Sequence, residues 1–278
     1  MAENLDDARA QALSLVTWQM SPDPIPPGRR DLLPPRLDVP PASVVHLWLV
    51  PLDLSSVELD LLETTLSEIE RERSVRFRFD THRKRYIASH GWLRRILGGY
   101  LAIHPEALAY EHSARGKPSL ACAGRVSGLE FNMAHSEHLA LIAVGRHLRI
   151  GVDLEWVRPL EDAAELVARF FSKRESAAFQ ELPDHLKPSA FFNLWTRKEA
   201  WLKATGEGIA HLLDQVEVSF EPGKPAQLLT LPTHYSTAEK WSIYDIAVQP
   251  GFTAALAVNS TRVQPQLRSI NDFKGVGL

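Results

Sequence analysis

Residues 151–159, GVDLEWVRP, combine the apolar alternation of a buried strand with two acidic side chains. Successive side chains of a strand point to opposite faces, so Asp153 and Glu155 share one face. Val152 and Leu154 occupy the other face. Two neighbouring carboxylates repel each other unless a cation lies near them. The stretch therefore predicts either a solvated strand face or a site built around something positive.

A second stretch, FFNLWTRKEAWLKATGEG at 191–208, predicts a helix with charges on its apolar side. At about 100° per residue, Lys198 and Glu199 fall inside the apolar arc and Lys203 falls at its edge. A buried charge is costly unless it is paired or bound to a ligand. The pattern indicates a site, or an internal ion pair of Lys198 or Lys203 with a carboxylate.

Together the two stretches supply three carboxylates, Asp153, Glu155 and Glu199. An all-oxygen ligand set suits a hard cation such as Mg²⁺. Mg²⁺ in proteins keeps several waters and takes further ligands from substrate phosphates. The set therefore favours a phosphate-bearing substrate.

Phosphate groups need donors, and the common glycine-rich nucleotide loops are missing from the sequence. Residues 70–85 contain seven Lys or Arg and could bind an exposed phosphate. The alternative for them is a solvated helix face, with Glu70 and Glu72 as partners. His135, in NMAHSEH at 132–138, is a candidate phosphate contact rather than a metal ligand, because a third histidine or cysteine is missing nearby.

Charge and cysteine content limit the class of protein. The formal net charge of −3 gives no reason to expect nucleic acid as a partner. Cys122 is the only cysteine, which fits a reducing compartment. The start, MAENLDDARA, lacks an apolar core of signal-peptide length, and the sequence has no apolar run of membrane-spanning length. We expect a soluble, cytoplasmic protein without a membrane partner.

The order of elements favours the α+β class, because strands and helices mix without regular alternation. Expected boundaries are a Pro-rich extension over 1–42, an N-terminal half over 43–150, a C-terminal half over 151–262 and a tail over 263–278. Strands are expected at 44–50, 215–220, 241–248 and 253–258, and helices at 57–78, 82–101, 161–171, 173–181 and 187–205. The run HLALIAVGRHLRIGVDLEWV predicts a hairpin that turns at 145–147.

GVDLE and WTRKEAWLKATGEG, in this order and about 40 residues apart, resemble the two signatures of the 4′-phosphopantetheinyl transferases. The likeness is to the larger type that activates nonribosomal peptide and polyketide synthases. RGKP, FNMAHS and FFSKRE resemble intervening segments of that family, and the likeness covers residues 44–260. One departure is Ala134, where relatives often have serine.

The resemblance implies two similarly folded halves, with coenzyme A and Mg²⁺ in the cleft between them. It implies Asp153, Glu155 and Glu199 as metal ligands, and Glu199 also as a possible general base. Lys203 would contact the pyrophosphate and stabilise the leaving oxygen. The remaining coenzyme A contacts that it implies are His135 to a phosphate, Lys117 and Pro118 along the adenine, and Arg73 and Arg85 at the 3′-phosphate.

The implied reaction moves the phosphopantetheine arm of coenzyme A to a serine of an apo acyl or peptidyl carrier protein and releases adenosine 3′,5′-bisphosphate. We expect a monomer. The alternatives are a Mg²⁺-dependent hydrolase of nucleotide pyrophosphates and a non-catalytic module that binds coenzyme A or a carrier protein.

Overall fold

The structure is a computed structural model and describes residues 34–121, 127–208, 212–236, 240–270 and 273. Most of the Pro-rich extension and Cys122 lie outside the described residues. Within the described ranges, no helix combines the length and apolarity needed to cross a bilayer.

The strands are β1 (Val44–Pro51), β2 (Tyr110–His112), β3 (Pro118–Leu120), β4 (Leu129–Ser136), β5 (Leu139–Arg146), β6 (Ile150–Trp156), β7 (Glu217–Val218), β8 (Leu228–Thr230), β9 (Ser242–Asp245), β10 (Phe252–Val258) and β11 (Gln264–Arg268). The α-helices are α1 (Ser56–Glu63), α2 (Glu68–Ser74), α3 (Asp80–Leu101), α4 (Ala163–Phe170), α5 (Lys173–Gln180), α6 (Lys187–Thr205) and α7 (Thr233–Ser236). The mixture confirms the α+β class.

The N-terminal half packs the long helix α3 on a sheet of order β11-β1-β5-β4. One helix was expected over 57–78, but the chain forms α1 and α2 there. The first helix ends at Glu63, and Ser67 caps the start of the second. The Ser67 hydroxyl accepts from the Glu70 amide, while the Glu70 carboxylate accepts from the Ser67 amide. Such a capping box starts a new helix and lets α2 take its own direction.

The C-terminal half packs α6 on a sheet of order β6-β10-β9. Contact between α6 and β6 depends on Gly151. A Cβ atom there would overlap the Ala200 carbonyl oxygen and the Ala204 amide nitrogen. Only glycine therefore allows the helix backbone to lie directly on the strand that carries Asp153 and Glu155.

The two sheets face each other across a third apolar cluster, so the layers run helix, sheet, sheet, helix. Val152 and Leu154 are buried there against Leu47, Leu141 and other residues of the N-terminal sheet. The apolar face of β6 thus anchors this strand between the halves. Its acidic face is left toward α6.

The predicted hairpin of the 138–144 strand with the GVDLE strand is wrong. Both edges of β5 are taken by β1 and β4, and β6 pairs with β10 in the other sheet. The residues after β5 therefore cross between sheets, with His147 at a positive φ of 55°. β4 was missed as a strand because Ala134, His135 and Ser136 break the alternation of apolar and polar residues that LEFNM begins at residue 129.

The segment expected to be a tail beyond residue 263 contains β11, which differs from that expectation. β11 adds to the N-terminal sheet by parallel pairing with β1. Phe273 is buried in the N-terminal core, with ring contacts to Trp48 and Trp92. The chain thus returns to its first half after completing the second.

Gly151→Ala should lower the free energy of unfolding by about 3 kcal/mol or more, since the added methyl overlaps helix backbone that cannot rotate away. Urea denaturation measures the loss. Gly223→Ala is the control, because its φ of 82° gives backbone strain of about 1–2 kcal/mol but no atom lies within 4 Å of the new Cβ. An equal or smaller loss at Gly151 would contradict the close packing.

Candidate active site

Four charged side chains meet where α6 crosses β6. Asp153 and Glu155 come from alternate positions of the strand, and Glu199 and Lys203 come from one face of the helix, four residues apart. The Lys203 ammonium donates to Asp153 Oδ1 at 2.7 Å. The structure thus brings together the acidic and basic residues that the two sequence stretches predicted.

These carboxylates are poorly solvated. Asp153 is 5% exposed and Glu199 is 3% exposed, whereas the Lys203 side chain is 31% exposed. Asp153 Oδ2 and Glu199 Oε1 are buried and accept no hydrogen bond from the residues that the structure describes. Buried acceptors of this kind are costly, so the site is built for a donor or cation from outside the chain.

The pKa values of the four groups show that negative charge exceeds positive charge at this site. Burial, followed by the charge of Asp153, raises the pKa of Glu155 to about 7 and that of Glu199 to about 8. Burial also raises the pKa of Asp153, against the opposing charge of Lys203. For Lys203 burial acts in the lowering direction, but Asp153 and Glu199 outweigh it and raise the pKa. One lysine does not balance three carboxyls.

A hard cation fits this donor set. No group of three or more His, Cys, Asp or Glu side chains is already arranged as a metal site in the part of the chain that the structure describes. The fit rests instead on the two buried oxygens without partners and on the all-carboxylate chemistry. Asp153, Glu155 and Glu199 remain the predicted ligands.

His135 lies on β4 of the other half, on the side of α3. His135 is exposed, but the protein around it disfavours the charged imidazolium, and this desolvation lowers its pKa to about 4. The charges of His90 on α3 and of Lys203 add to the lowering. The charge of Lys203 thus acts on His135 across the two halves, and the contact of His135 with a phosphate stays a prediction.

Lys117 makes contacts that sequence reasoning did not foresee. Its ammonium donates to the carbonyls of Ile150 at 3.0 Å and Ala204 at 2.9 Å, near the C-terminal end of α6. Burial lowers its pKa to about 8. A cation at this helix end is favourable, so Lys117 ties the β2–β3 hairpin to α6.

Pro118 lines a cleft of about 390 Å³ next to this contact. Residues from both halves form its walls, namely Glu111, His112, Ser113, Lys117, Pro118, Ser119, Glu130, Arg149, Ala204 and Thr205. The adenine contact of Lys117 and Pro118 stays a prediction. The cleft gives that group a place to lie.

The two candidate arginines differ in their surroundings. Arg85 donates to both Asp53 carboxylate oxygens and to Glu137, and these bonds raise its pKa. Arg73 is exposed, with its guanidinium 5.7 Å from the centre of the Tyr86 ring. Both assignments to the 3′-phosphate stay predictions. Among the described residues, Arg85 is paired with carboxylates and Arg73 is not.

Lys198, the other lysine of the apolar arc, has a structural role. It is fully buried, donates to Glu175 at 2.6 Å and to the Leu213 carbonyl, and lies over the Phe171 ring. The Glu175 carboxylate also accepts from the amide of Val218. The internal ion pair that was the alternative for this helix is therefore correct for Lys198.

Sequence reasoning missed Ser136 and Asn132, whose side chains bind β6 from β4. The Ser136 hydroxyl lies 2.9 Å from Glu155 Oε2, and the Asn132 amide oxygen accepts from the backbone of Val152. The signal was present in FNMAHS, where Asn132 and Ser136 are four residues apart and therefore share one face of a strand.

Family models match the chain in two consecutive parts. The model described as 4′-phosphopantetheinyl transferase superfamily matches residues 149–257, and the model described as 4′-phosphopantetheinyl transferase, N-terminal, matches residues 54–147. The chain belongs to this superfamily. The two matches meet between β5 and β6, which agrees with the two halves of the fold.

Several curated relatives carry the same description. The 4′-phosphopantetheinyl transferase HetI of Nostoc sp. is 44% identical over 222 residues, which cover 80% of this chain and 90% of that protein. The transferase psf-1 of Bacillus pumilus is 29% identical over 69% of this chain and 80% of its own, and Sfp of Bacillus subtilis is 25% identical over 73% and 86%. The chain is a 4′-phosphopantetheinyl transferase of the larger, Sfp-like type, which confirms the resemblance.

Lys198→Met should lower the free energy of unfolding by about 3–5 kcal/mol, because Glu175 would stay buried without its cation. Guanidinium denaturation followed by circular dichroism checks this. Lys203→Met is the matched control on the same helix, and it should cost less because Lys203 is partly open to water. If the Lys203 variant is the less stable of the two, the structural role of Lys198 is refuted.

Proposed function

We propose that the protein transfers the phosphopantetheine arm of coenzyme A to a serine hydroxyl of an apo carrier protein, with Mg²⁺, and releases adenosine 3′,5′-bisphosphate. The observation that carries this proposal is the meeting of Asp153, Glu155, Glu199 and Lys203 at one buried point, next to His135 of the other half. Relatives described as 4′-phosphopantetheinyl transferases support it.

Residues of the chain can accept the proton of the attacking serine and stabilise the charge on the leaving group. The serine oxygen forms a bond to the β-phosphorus while the bond from that phosphorus to the departing phosphate oxygen breaks. Glu199, with a pKa of about 8, can accept the serine proton directly or through a water. Lys203 donates hydrogen bonds where negative charge develops on the departing oxygen, and His135 contacts a phosphate.

Asp153, Glu155 and Glu199 would hold the Mg²⁺. When bound, the ion would offset the charge of the pyrophosphate, which is the main contribution of a metal to phosphoryl transfer.

The carrier protein would dock beside the three carboxylates, on the surface formed by α4 and the segment that precedes it. Phe170 is 37% exposed and Trp156, next to Glu155, is 41% exposed. Arg169 on the same helix is exposed and stacks on Phe170. Exposed aromatic and basic residues match an acidic partner with an apolar contact patch.

The decisive assay incubates the protein with coenzyme A, Mg²⁺ and an apo carrier protein, and mass spectrometry detects the added arm. Asp153→Ala should lose at least about a hundredfold of the turnover, as expected when charge stabilisation is removed. Chelation of Mg²⁺ should stop the reaction. No modification on any of several acyl and peptidyl carriers would refute the proposal, and bisphosphate release without a carrier would favour the hydrolase alternative.

The docking surface makes a separate prediction. Phe170→Ser combined with Arg169→Glu should raise the KM for the carrier about tenfold, because an apolar contact is lost and a charge is reversed. The KM for coenzyme A should stay the same in steady-state kinetics. Leu229→Ser removes another exposed apolar side chain, from β8, and serves as control. Equal carrier KM values for the two variants would place the carrier elsewhere.

A further inference from the structure

Two side chains of β4 bind the free edge of β6. Both strands lie at sheet edges, β4 in the N-terminal sheet and β6 in the C-terminal sheet. The Asn132 amide oxygen accepts from the Val152 amide at 2.9 Å, and the Ser136 hydroxyl accepts from the Trp156 amide at 3.1 Å. Edge amides that no neighbouring strand could reach are thus satisfied from the other half of the molecule.

The two bonds obey one register. Each joins residues 20 positions apart in sequence, and donors and acceptors are both spaced by four residues. β4 and β6 therefore run side by side in the same direction, joined by side chain to backbone where a ladder would use backbone alone. A slip by one residue would break both bonds together, so the pair selects one alignment of the halves.

This alignment matters at the site. The same register sets His135 level with Glu155 along the two strands. The Ser136 hydroxyl makes two hydrogen bonds. It donates to Glu155 Oε2 at 2.9 Å, and it accepts from the amide of Trp156. One hydroxyl thus holds both the backbone and the carboxylate at the end of the acidic strand.

We propose that Asn132 and Ser136 are positioning residues for the transfer reaction, which align the two halves across the cleft and hold the Glu155 carboxylate in the orientation that its role as a predicted metal ligand requires. Neither needs to touch coenzyme A or the carrier. The inference rests on the proposed transferase function, and the first experiment below tests it independently of that function.

Amide hydrogen exchange tests the hydrogen bonds of the Val152 and Trp156 amides directly. In the wild-type protein the amides of Val152 and Trp156 should be protected in residue-resolved hydrogen exchange. Ser136→Ala should speed exchange at Trp156 at least tenfold and leave Val152 protected, whereas Asn132→Ala should do the reverse. An unprotected Trp156 amide in the wild-type protein would overturn the proposal without any variant, even if a variant failed to fold.

Kinetics then separate positioning from general stability. Ser136→Ala should lower kcat about tenfold to a hundredfold, as a misplaced reactive group does, with an unchanged carrier KM. Ser136→Thr, which keeps the hydroxyl, should restore most of the kcat. The matched control is Thr230→Ala, which removes a similar hydroxyl bond to Glu217 on β7 and should leave kcat unchanged.

The outcomes are distinct. Wild-type kcat in Ser136→Ala, or a loss that Ser136→Thr does not restore, would refute the positioning role. A protein without transferase activity in which the exchange pattern holds would refute the proposed function but keep the alignment of the halves.

Discussion

Repulsion among Asp153, Glu155 and Glu199 is the constraint on which the site depends. Like charges at this depth are tolerable only if the backbone around them is held by stronger packing elsewhere. That packing comes from Gly151, which lets α6 lie on β6, and from Val152 and Leu154, which fix the strand between two sheets. The resulting point of excess negative charge, with Lys203 at its rim, suits a cation and a pyrophosphate together.

Helix α6 contributes the lysine to two lysine–carboxylate pairs that serve different purposes. Lys198 and Glu175 form a closed pair with further backbone bonds, so their charges are fully matched inside the C-terminal core. Lys203 and Asp153 form an open pair, because one Asp153 carboxylate oxygen has no partner among the described residues and the lysine side chain is partly exposed. The two pairs are thus distinguished by whether any hydrogen-bond acceptor of the carboxylate is left without a partner, and not by their residue types.

Local features of the site followed from sequence, while contacts between halves did not. The shared face of Asp153 and Glu155 depends only on the strand period, and the inward position of Glu199 depends only on the helix period. The hairpin of β5 with β6 was wrong because strand pairing is chosen by the whole sheet. Lys117 and Ser136 could not be placed, because their partners lie in the other half of the chain.

The return of the chain through β11 to Phe273 has a consequence for biosynthesis. Translation is vectorial, so the N-terminal sheet lacks an edge strand and its core lacks an aromatic ring until residues beyond 263 have left the ribosome. The C-terminal half is then enclosed within the sequence of the first, as an inserted segment would be. The first half to be synthesised is thus the last to be completed, and the cleft between the halves reaches its final shape only at that late step.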